Sequence, residues 1–268
     1  MIIHGNSKEE LKKLDSDSID LIFTSPPYAD RRKNTYGGVS EDQYVEWFKP
    51  FAIELKRVLK PTGSFFLNIK PHTNNGERSL YVFDLIIMLK RDLGFLFVEE
   101  YCWTKNAFPG NFKGRFKNGF EPVYHFTKNN PSQITFNPLS CGTSMKKESI
   151  ARGYRKQSGA PKNGSGMTAM NTTNIRNLKK ARPSNVIHAN NVLNQYKLVE
   201  FFVKSFSNPG DTVLDPFAGS GTTGVVCFDL NRDYILIDKE IDYIKLINRI
   251  MDNQRKEKIN EIKTKKLF

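Results

Sequence analysis

The sequence has few cysteines, and none is placed for a paired role. Cys102, Cys141 and Cys227 are the three cysteines among 268 residues, and no two of them form a C-x-x-C pair. A disulfide framework or a cysteine-based zinc site needs pairs at short, regular spacings. The sequence therefore excludes a disulfide scaffold, favours free thiols and indicates no metal site.

The sequence also lacks a long hydrophobic run. No stretch reaches the roughly 20 apolar residues that a membrane-spanning helix needs, and the N-terminus MIIHGNSKEE turns polar too early for a signal peptide. With 38% hydrophobic and 26% charged residues, the composition is that of an ordinary globular protein. We expect a cytoplasmic protein without a membrane partner, with one large α/β domain or one domain carrying a sizeable insertion.

Acidic residues are scarce in one segment. Between Cys141 and Pro183 there are ten basic residues and one acid, Glu148, in a chain whose net charge is +13. The wider segment of residues 130–183, called the basic segment below, is also rich in Gly, Ser, Asn and Thr, which predicts a loop-rich insertion. Such a charge favours a polyanionic partner, because neutralised phosphates release counterions.

Strand and helix patterns alternate on both sides of the basic segment. DLIFTS and SFFLNI are strand-like, whereas residues 41–60 and 81–94 are helix-like, with Pro61, Gly63 and Gly94 as their predicted ends. Strands separated by helices predict βαβ units and a mainly parallel sheet. We predict one domain with two halves, residues 1–129 and 184–268, separated by the basic segment.

The C-terminal half repeats this alternation. KLVEFFVKSF is helical, TVLD is a buried-type strand, a helix runs to Asn231, and YILID is the next strand. Residues 239–268 form an amphipathic helix pattern. Its stripe of Ile241, Ile244, Ile247 and Ile250 is predicted to face the core.

A rigid turn follows the first strand pattern. The segment IFTSPPYADRR places Pro26 and Pro27 between Ser25 and Tyr28, directly after an apolar run. Proline fixes φ, has no N–H and makes the preceding residue extended, so the segment neither continues the strand nor easily starts a helix. Its carbonyls lack ladder partners. This arrangement suits either a structural turn or a site whose carbonyls and aromatic ring face a ligand.

A glycine-rich segment follows the strand TVLD. Gly219, Gly221 and Gly224 permit a tight turn and close backbone approach, and Thr222 can begin the next helix. Asp238 lies 19 residues after Gly219, close to the roughly 20 expected for a carboxylate that binds ribose hydroxyls. No Gly-Lys-Ser/Thr ending follows, which excludes a P-loop. The segment therefore indicates either a nucleoside-cofactor loop or a tight turn.

Together, TSPPY and LDPFAGSGTT resemble the motifs of the amino-methyltransferases that modify exocyclic amines of DNA bases with S-adenosylmethionine. The order of catalytic motif, basic segment and cofactor loop resembles the β class of that family. The resemblance covers residues 1–129 and 183–255. It implies an α/β, Rossmann-like, mainly parallel sheet with helices on both faces, in circularly permuted methyltransferase order with a loop-rich basic insertion.

The resemblance assigns the catalytic motif to Ser25, Pro26, Pro27 and Tyr28. The Ser25 hydroxyl and the Pro26 carbonyl would accept hydrogen bonds from the amino group of a flipped-out base, and Tyr28 would stack on that base. The prolines would hold these acceptors where positive charge develops on the nitrogen. No Pro-Cys pair is present, which argues against the thiolate chemistry of cytosine-C5 methylation.

The resemblance also implies a set of cofactor-binding residues. One departure from the family pattern is Gly5-Asn6, because family members usually have Gly-Asp there. The predicted cofactor contacts are Asn6, Thr24, Asp215, Pro216, Phe217, Gly219, Ser220, Gly221, Thr222 and Asp238.

Duplex DNA is the partner that the resemblance implies. Basic residues beside the catalytic motif and within the basic segment are the predicted DNA contacts: Arg31, Arg32, Lys33, Arg152, Arg155, Lys156, Lys179, Lys180 and Arg182. Whether a cognate restriction endonuclease accompanies the enzyme, and whether it is a monomer or a homodimer, stays open at this point.

The residue in the first motif position bears on the target base. Serine is commoner there in cytosine-N4 enzymes, whereas adenine-N6 enzymes usually have Asp or Asn, so Ser25 favours cytosine-N4 over adenine-N6. A neutral hydroxyl is also a weaker acceptor than a carboxylate. Two further hypotheses remain: an RNA or protein methyltransferase with the same cofactor loop, and a nucleic-acid-binding module without catalysis.

Overall fold

The computed structural model describes residues 1–30, 38–74, 76–105, 113–114, 116–144, 180–188 and 194–265. The chain divides into two compact units. The first contains residues 1–137 and 185–268, and the second contains residues 138–184. The predicted limits of the basic segment at residues 130 and 183 stay a prediction.

Twelve strands are present among the described residues. In the first half they are β1 (Ile2–His4), β2 (Ile19–Thr24), β3 (Leu59–Asn68), β4 (Thr73–Asn74), β5 (Glu77–Arg78), β6 (Leu96–Thr104) and β7 (Phe120–Thr127). Beyond these lie β8 (Thr143–Ser144), β9 (Lys180–Ala181), β10 (Val186–His188), β11 (Thr212–Asp215) and β12 (Asp233–Asp238).

The helices alternate with these strands. They are α1 (Ser7–Glu10), α2 (Glu41–Val58), α3 (Tyr81–Arg91), α4 (Asn194–Phe206), α5 (Thr222–Asp229) and α6 (Ile241–Lys265). Among the described residues, no helix is both long enough and apolar enough to cross a membrane.

One eight-stranded sheet organises the first unit. Its order is β1-β12-β11-β2-β3-β7-β6-β10. β7 is antiparallel to its neighbours β3 and β6, whereas the other pairs are parallel. β2 and β11, which precede the two motifs, are adjacent parallel strands. The predicted Rossmann-like, mainly parallel sheet is therefore confirmed, and both motifs lie at its carboxyl edge.

Buried side chains alternate between the two faces of the sheet. Along β2, Leu21 and Phe23 belong to a core cluster that includes Phe202 of α4, whereas Ile22 belongs to a second cluster that includes Leu55 of α2. Successive strand residues point to opposite faces. Helices therefore cover both faces, as predicted.

The end of the helix predicted over residues 41–60 was wrong. α2 ends at Val58, and the chain is already extended at Leu59, so Pro61 and Gly63 lie inside β3. Leu59 is fully buried, and burying this side chain outweighs another turn of helix. The β2–β3 register shifts between Ile19 and Leu21, and this irregularity accommodates the proline without a ladder bond.

The predicted core stripe of the C-terminal helix was partly wrong. Ile244 and Ile247 are buried, but Ile241 is 44% exposed because it lies at the first turn of α6, and Ile250 is only half-buried. Met251 completes the buried face instead. A spacing of three drifts off one helix face, whereas four residues from Ile247 to Met251 return to it.

The second unit has little described structure. β8 pairs with β9 in an antiparallel two-stranded sheet, with Thr143 opposite Ala181 and Ser144 opposite Lys180. Residues 145–179, between these strands, lie outside the described residues.

Candidate active site

The Ser25–Tyr28 turn begins where β2 ends. Pro26 is buried, and Ser25, Pro27 and Tyr28 are half-buried. The hydroxyl of the fully buried Tyr44 in α2 donates a 2.7 Å hydrogen bond to the Pro27 carbonyl, and burial raises the pKa of that hydroxyl, so it stays a donor. The turn is therefore held by proline rigidity and by a bond from a core side chain.

The turn residues Ser25 and Pro26 lie at a common cleft. Both residues, with Tyr28, line a cavity of about 670 Å³, called the central cleft below. Within the described part of the chain, neither the hydroxyl nor the carbonyl has a hydrogen-bond partner. Two acceptors on a rigid backbone beside an aromatic ring can bind an amino group on a planar ring.

The glycine loop forms another wall of the central cleft. Gly219 and Gly221 have φ of +52° and +83°, the left-handed region that favours glycine. A Cβ at Gly219 would meet open space, whereas a Cβ at Gly221 would lie 2.7 Å from Ile247. Gly219, Ser220 and Thr222 line the cleft, and Thr222 begins α5. Gly221 is packed against Ile247 of α6, and its role as a cofactor contact stays a prediction.

Asp215 joins the two motifs. Its Oδ1 accepts from the Thr24 hydroxyl at 2.8 Å and from the Phe217 N–H at 3.1 Å, and its Oδ2 accepts from the Thr223 hydroxyl at 2.7 Å. Burial raises the pKa of this carboxyl to about 6, against the lowering effect of these three bonds. Thr24, a predicted cofactor contact, is fully buried and lines neither the central cleft nor the cavity beside Asp238. Asp215 therefore fixes the end of β2 relative to the glycine loop.

Asp238 is held at the end of β12. Its Oδ2 accepts from the Gly219 N–H at 2.8 Å, and its Oδ1 accepts from the Glu240 N–H at 2.9 Å. The side chain is 1% exposed and lines a second cavity of about 320 Å³, called the side cavity below. The two backbone bonds fix the carboxylate at the cavity wall, where it can accept hydrogen bonds from ligand hydroxyls.

Aromatic and apolar groups line the side cavity. Trp47 and Phe51 of α2 lie against Phe217, with ring centroids 5.9 Å and 5.2 Å apart. Phe217 also lines the central cleft, so the two cavities share a wall. Pro216, another predicted cofactor contact, lines the side cavity as well. The slot suits a flat, partly apolar ring.

Asn6 is one of the residues that line the side cavity. Its side chain caps α1 by accepting from the Lys8 N–H at 3.1 Å. Ser7 donates a short hydrogen bond to the Pro216 carbonyl and connects α1 to the glycine loop. Asn6 is thus beside the predicted cofactor pocket with a structural role of its own.

A proline inside α2 affects the wall of the side cavity. Pro50 has no N–H, so the Glu46 carbonyl one turn earlier lacks its helical partner. Glu46 and Pro50 both line the side cavity. A carbonyl without a ladder bond beside a cavity is a candidate acceptor for a ligand amine.

Sequence reasoning missed a charged cluster in the central cleft. Glu121 at the start of β7 is buried, and it accepts a short hydrogen bond from Lys70 and one of 2.6 Å from Lys105. Lys70 follows β3 and Lys105 follows β6. All three side chains line the cleft.

Trp103 completes this cluster. The Lys105 ammonium lies 3.7 Å from the centroid of its ring, a cation–π contact. Burial lowers the pKa of the Lys105 ammonium, while the hydrogen bond to Glu121 raises it. The Trp103 side chain lines the cleft, and its buried Nε1 has no hydrogen-bond partner among the described residues.

The sequence carried a signal for these residues. NIK and CWTK place a lysine just past the end of an apolar strand pattern, as TSPPY places the catalytic motif. Ligands of α/β proteins bind at the carboxyl ends of the strands, so a polar residue there is a candidate. Glu121 had no such signal, because β7 runs the opposite way and contributes its first residues to this edge.

Most predicted DNA contacts lie outside the described residues. This holds for Arg31, Arg32, Lys33, Arg152, Arg155, Lys156 and Lys179. Lys180 and Arg182 are described, and both are exposed residues of the second unit.

Comparisons with known proteins bear on the family. The family model described as DNA methylase matches residues 19–249. Type II methyltransferase M.PvuII of Proteus hauseri is 30% identical over 96% of this chain and 86% of its own. DNA adenine methyltransferase YhdJ of Escherichia coli strain K12 is 30% identical over 94% of this chain and 82% of its own.

Solved structures agree in fold. The PvuII DNA methyltransferase (cytosine-N4-specific) superposes with a TM-score of 0.68 at 25% identity, covering 92% of this chain and 84% of that one. TTHA0409 of Thermus thermophilus, a putative DNA modification methylase solved with S-adenosyl-L-methionine, gives 0.61 at 20% identity, covering 92% and 90%.

The family match confirms three predictions made from the two motifs. These are the amino-methyltransferase resemblance, the methyltransferase activity and S-adenosylmethionine as the cofactor. The match of residues 19–249 spans both motifs, and the fold is the one that the resemblance implied. The chain belongs to the N6/N4 family of DNA methylases, which are S-adenosylmethionine-dependent enzymes.

Proposed function

We propose that this protein methylates the exocyclic N4 of cytosine at a specific site in duplex DNA, on a base flipped into the central cleft. The observation that carries the proposal is the Ser25 hydroxyl on the rigid turn, unpartnered among the described residues, in a cleft shared with the glycine loop. The cytosine-N4-specific PvuII enzyme, similar over most of both chains, supports the same base.

The side cavity and the adjoining glycine loop fit S-adenosylmethionine. Trp47 and Phe217 would hold the adenine ring, and the Glu46 carbonyl would accept from its amine. Asp238 would accept hydrogen bonds from the ribose hydroxyls. The open space beside Gly219 would admit the methionine part of the cofactor, which would extend toward the central cleft. When bound, S-adenosylmethionine supplies an electrophilic methyl group on a sulfonium centre.

The catalytic turn would act on the amine. The Ser25 hydroxyl and the Pro26 carbonyl accept its two N–H groups and so direct the nitrogen lone pair away from the base ring. The nitrogen would gain positive charge as the methyl–sulfur bond breaks to leave S-adenosylhomocysteine, so both bonds strengthen, and this difference lowers the barrier. The methylated nitrogen would then release one of its two protons to water. Tyr28 holds the base plane by stacking. Asp215 keeps the turn in place through Thr24.

Adenine-N6 methylation is the second candidate. The Escherichia coli relative, named a DNA adenine methyltransferase, is as similar to this chain as the Proteus hauseri enzyme. Both bases present an exocyclic amine next to a ring nitrogen, so the turn alone fits either. Ser25 is the residue that favours cytosine.

A nucleoside analysis tests the proposal. Purified protein is incubated with S-adenosylmethionine and unmethylated genomic DNA, the DNA is digested, and the nucleosides are compared with standards by mass spectrometry. We expect N4-methylcytosine. N6-methyladenine would keep the enzyme class and overturn the base. No methylated nucleoside, with cofactor binding intact, would overturn the proposed DNA activity and favour RNA or a non-catalytic role.

Two serine variants sharpen this test. Ser25→Ala removes an acceptor used in the transition state, and we expect a rate loss of about 100-fold or more. Ser18→Ala is the matched control, because Ser18 precedes β2 at its other end and donates to the Asp15 carbonyl at 2.7 Å. Its rate should stay within about twofold of the unmodified protein.

A further inference from the structure

We propose that Lys70, Trp103 and Lys105, called the donor wall below, bind the ring acceptors of the flipped base, and that Glu121 positions the two lysines. This inference rests on the proposed function and deepens it, because it names the part of the central cleft that selects cytosine.

The donor wall shares the cleft with the catalytic turn. β2, β3 and β6 all end at the same edge of the sheet, and the residues after these strands line one cavity. Lys70 and Lys105 have side chains only 26% and 21% exposed, so they are not ordinary solvated lysines. A base whose amine is held at Ser25 would have its ring between the turn and these groups.

The hydrogen-bonding character of the donor wall is one-sided. The acceptor beside the donor wall is Glu121, and each of its two carboxylate oxygens already accepts a hydrogen bond from a lysine ammonium. Two ammonium groups and one carboxylate leave a net charge of +1 in a partly buried place. An ammonium has three N–H donors and no acceptor. The wall therefore fits a ligand edge that accepts hydrogen bonds.

Trp103 adds an independent observation. Trp103 lines the cleft and is only 4% exposed, and its Nε1–H is buried without a partner among the described residues. Buried indole N–H groups usually find an acceptor, and an unpaired one is costly. A ligand acceptor in the cleft would satisfy it.

Cytosine matches this arrangement better than adenine does. Next to its N4 amine, cytosine carries two acceptors in a row, N3 and O2, whereas adenine carries N1 followed by a C–H group. With the amine at Ser25 and Pro26, cytosine offers two acceptors to the donor wall. Adenine would offer one and leave one more donor unpaired, and an unpaired buried donor is strongly disfavoured.

Glu121 would act by positioning. A lysine side chain has a flexible four-carbon stem and loses much conformational entropy when its position is fixed. The bond to Glu121 and the ring of Trp103 fix the Lys105 ammonium before the base arrives, and the other Glu121 oxygen fixes Lys70. Pre-ordered donors bind an acceptor with a smaller entropic cost.

The test compares target bases in the same duplex. The site is first located by sequencing DNA that the protein has methylated. Duplexes then carry cytosine, 3-deazacytosine, which lacks N3, or 2-thiocytosine, whose sulfur is a poor acceptor. kcat and KM are measured for the unmodified protein, Lys105→Met, Glu121→Gln and Lys128→Met. Lys128 is the matched control, because it pairs with Asp17 at 2.5 Å after the far end of β7.

We expect Lys105→Met to lose about 10- to 100-fold in kcat/KM on cytosine, the range for a hydrogen bond from a charged donor. At least one analogue that lowers kcat/KM in the unmodified protein should then react with Lys105→Met within about threefold of cytosine. The variant already lacks the donor that would have paired with the acceptor missing from that analogue. Glu121→Gln should raise KM more than it lowers kcat, and Lys128→Met should match the unmodified protein.

Four outcomes overturn the inference. An unchanged rate on cytosine for Lys105→Met would remove the donor role, and undiminished penalties for both analogues would show a structural effect only. If N6-methyladenine is the product, the base assignment of the proposed function falls as well, so the two failures are distinguishable. If Lys105→Met no longer binds S-adenosylhomocysteine, Lys105→Arg replaces it. That variant should keep analogue penalties like those of the unmodified protein, and losing them while binding S-adenosylhomocysteine would overturn the inference.

Discussion

Two buried carboxylates lie in the central cleft, and their surroundings differ. Asp215 accepts hydrogen bonds from two threonine hydroxyls and a backbone N–H, which are neutral groups. Glu121 accepts from two lysine ammonium groups. Asp215 thus keeps a negative charge uncompensated by these bonds, whereas the Glu121 cluster carries a net positive charge. The cleft has one side suited to a cationic methyl donor and one suited to acceptor atoms.

The difference has an energetic basis. Burial disfavours the charged form of a carboxyl group when only neutral donors are hydrogen-bonded to it, and it raises the pKa of Asp215 to about 6. A buried residue whose pKa is shifted this far is a candidate functional residue, because the free-energy cost of burying its charge must be offset by other interactions. A nearby sulfonium would stabilise the ionised form of Asp215. Glu121 already has its cations in the protein.

Within this comparison of carboxylates, the largest expected effect comes from Asp215→Asn. The amide has one acceptor oxygen instead of two, so it cannot accept from the Thr24 hydroxyl on one side and from the Thr223 hydroxyl on the other, and the link between β2 and the glycine loop is weakened. We expect kcat/KM for DNA methylation to fall by about 100-fold, since hydrogen bonds to charged groups contribute about 1.5–3 kcal/mol each. Asp215→Glu, which keeps the charge but not the geometry, is the control, and activity near that of the unmodified protein in Asp215→Asn would contradict the bracing role.

The raised pKa adds a pH test of the same residue. The ionised form is required for the three bonds, so activity should decline about tenfold per unit as the pH falls below about 6. Asp215→Asn has no proton to gain there, and its lower rate should lack this decline. An identical acid limb in both proteins would assign it to another group.

A smaller effect is expected from Asp238→Ala. The variant loses a carboxylate that receives two backbone N–H groups and lines the side cavity. We expect the Kd of S-adenosylhomocysteine to rise about tenfold, the equivalent of one charge-assisted hydrogen bond. Isothermal titration measures it. Asp233→Ala, at the other end of β12, is the control and should bind normally.

The last prediction concerns stability and not activity, and it rests on the burial of His125. His125 lies four residues after Glu121 on β7, it is 1% exposed, and burial lowers its pKa to about 3. The unfolded chain takes up this proton near pH 6.5 and the folded chain near 3. Stability is therefore fully present above about pH 6.5 and is lost as the pH falls toward 3.

His125→Phe should flatten this loss. At pH 4.5, two units below the unfolded value, the neutral histidine costs up to about 2.7 kcal/mol. We expect the unmodified protein to lose several degrees more in Tm between pH 7 and 4.5 than the variant does. The variant loses a 3.0 Å contact to Ser64, so the change with pH is compared and not the absolute Tm. Parallel pH curves would contradict the assignment.

The parts predictable from sequence were local. Ser25–Tyr28 and Gly219–Thr222 could be recognised because proline and glycine restrict or free the backbone whatever surrounds them. Their meeting at one sheet edge also followed from the βαβ pattern. Pro61 and Gly63 were misread as helix ends because burying Leu59 in β3 outweighed local helix propensity, a tertiary effect that no short window contains.

The charged cluster could not be predicted in full. Lys70, Lys105 and Glu121 come from three distant segments, and they meet only because β7 runs antiparallel between β3 and β6. A sequence pattern gives a strand but not its direction. Asp215 was foreseen as a cofactor contact, whereas its bonds to Thr24 and Thr223 depend on the β2–β11 pairing.

The most direct test of separate cofactor-binding and base-binding sides is one series of titrations. S-adenosylhomocysteine is titrated, without DNA, into the unmodified protein, Asp238→Ala and Lys105→Met. The account predicts about tenfold weaker binding for Asp238→Ala and binding within about twofold of the unmodified protein for Lys105→Met. Weakened binding in Lys105→Met equal to that in Asp238→Ala would contradict the separation of a cofactor side from a base side.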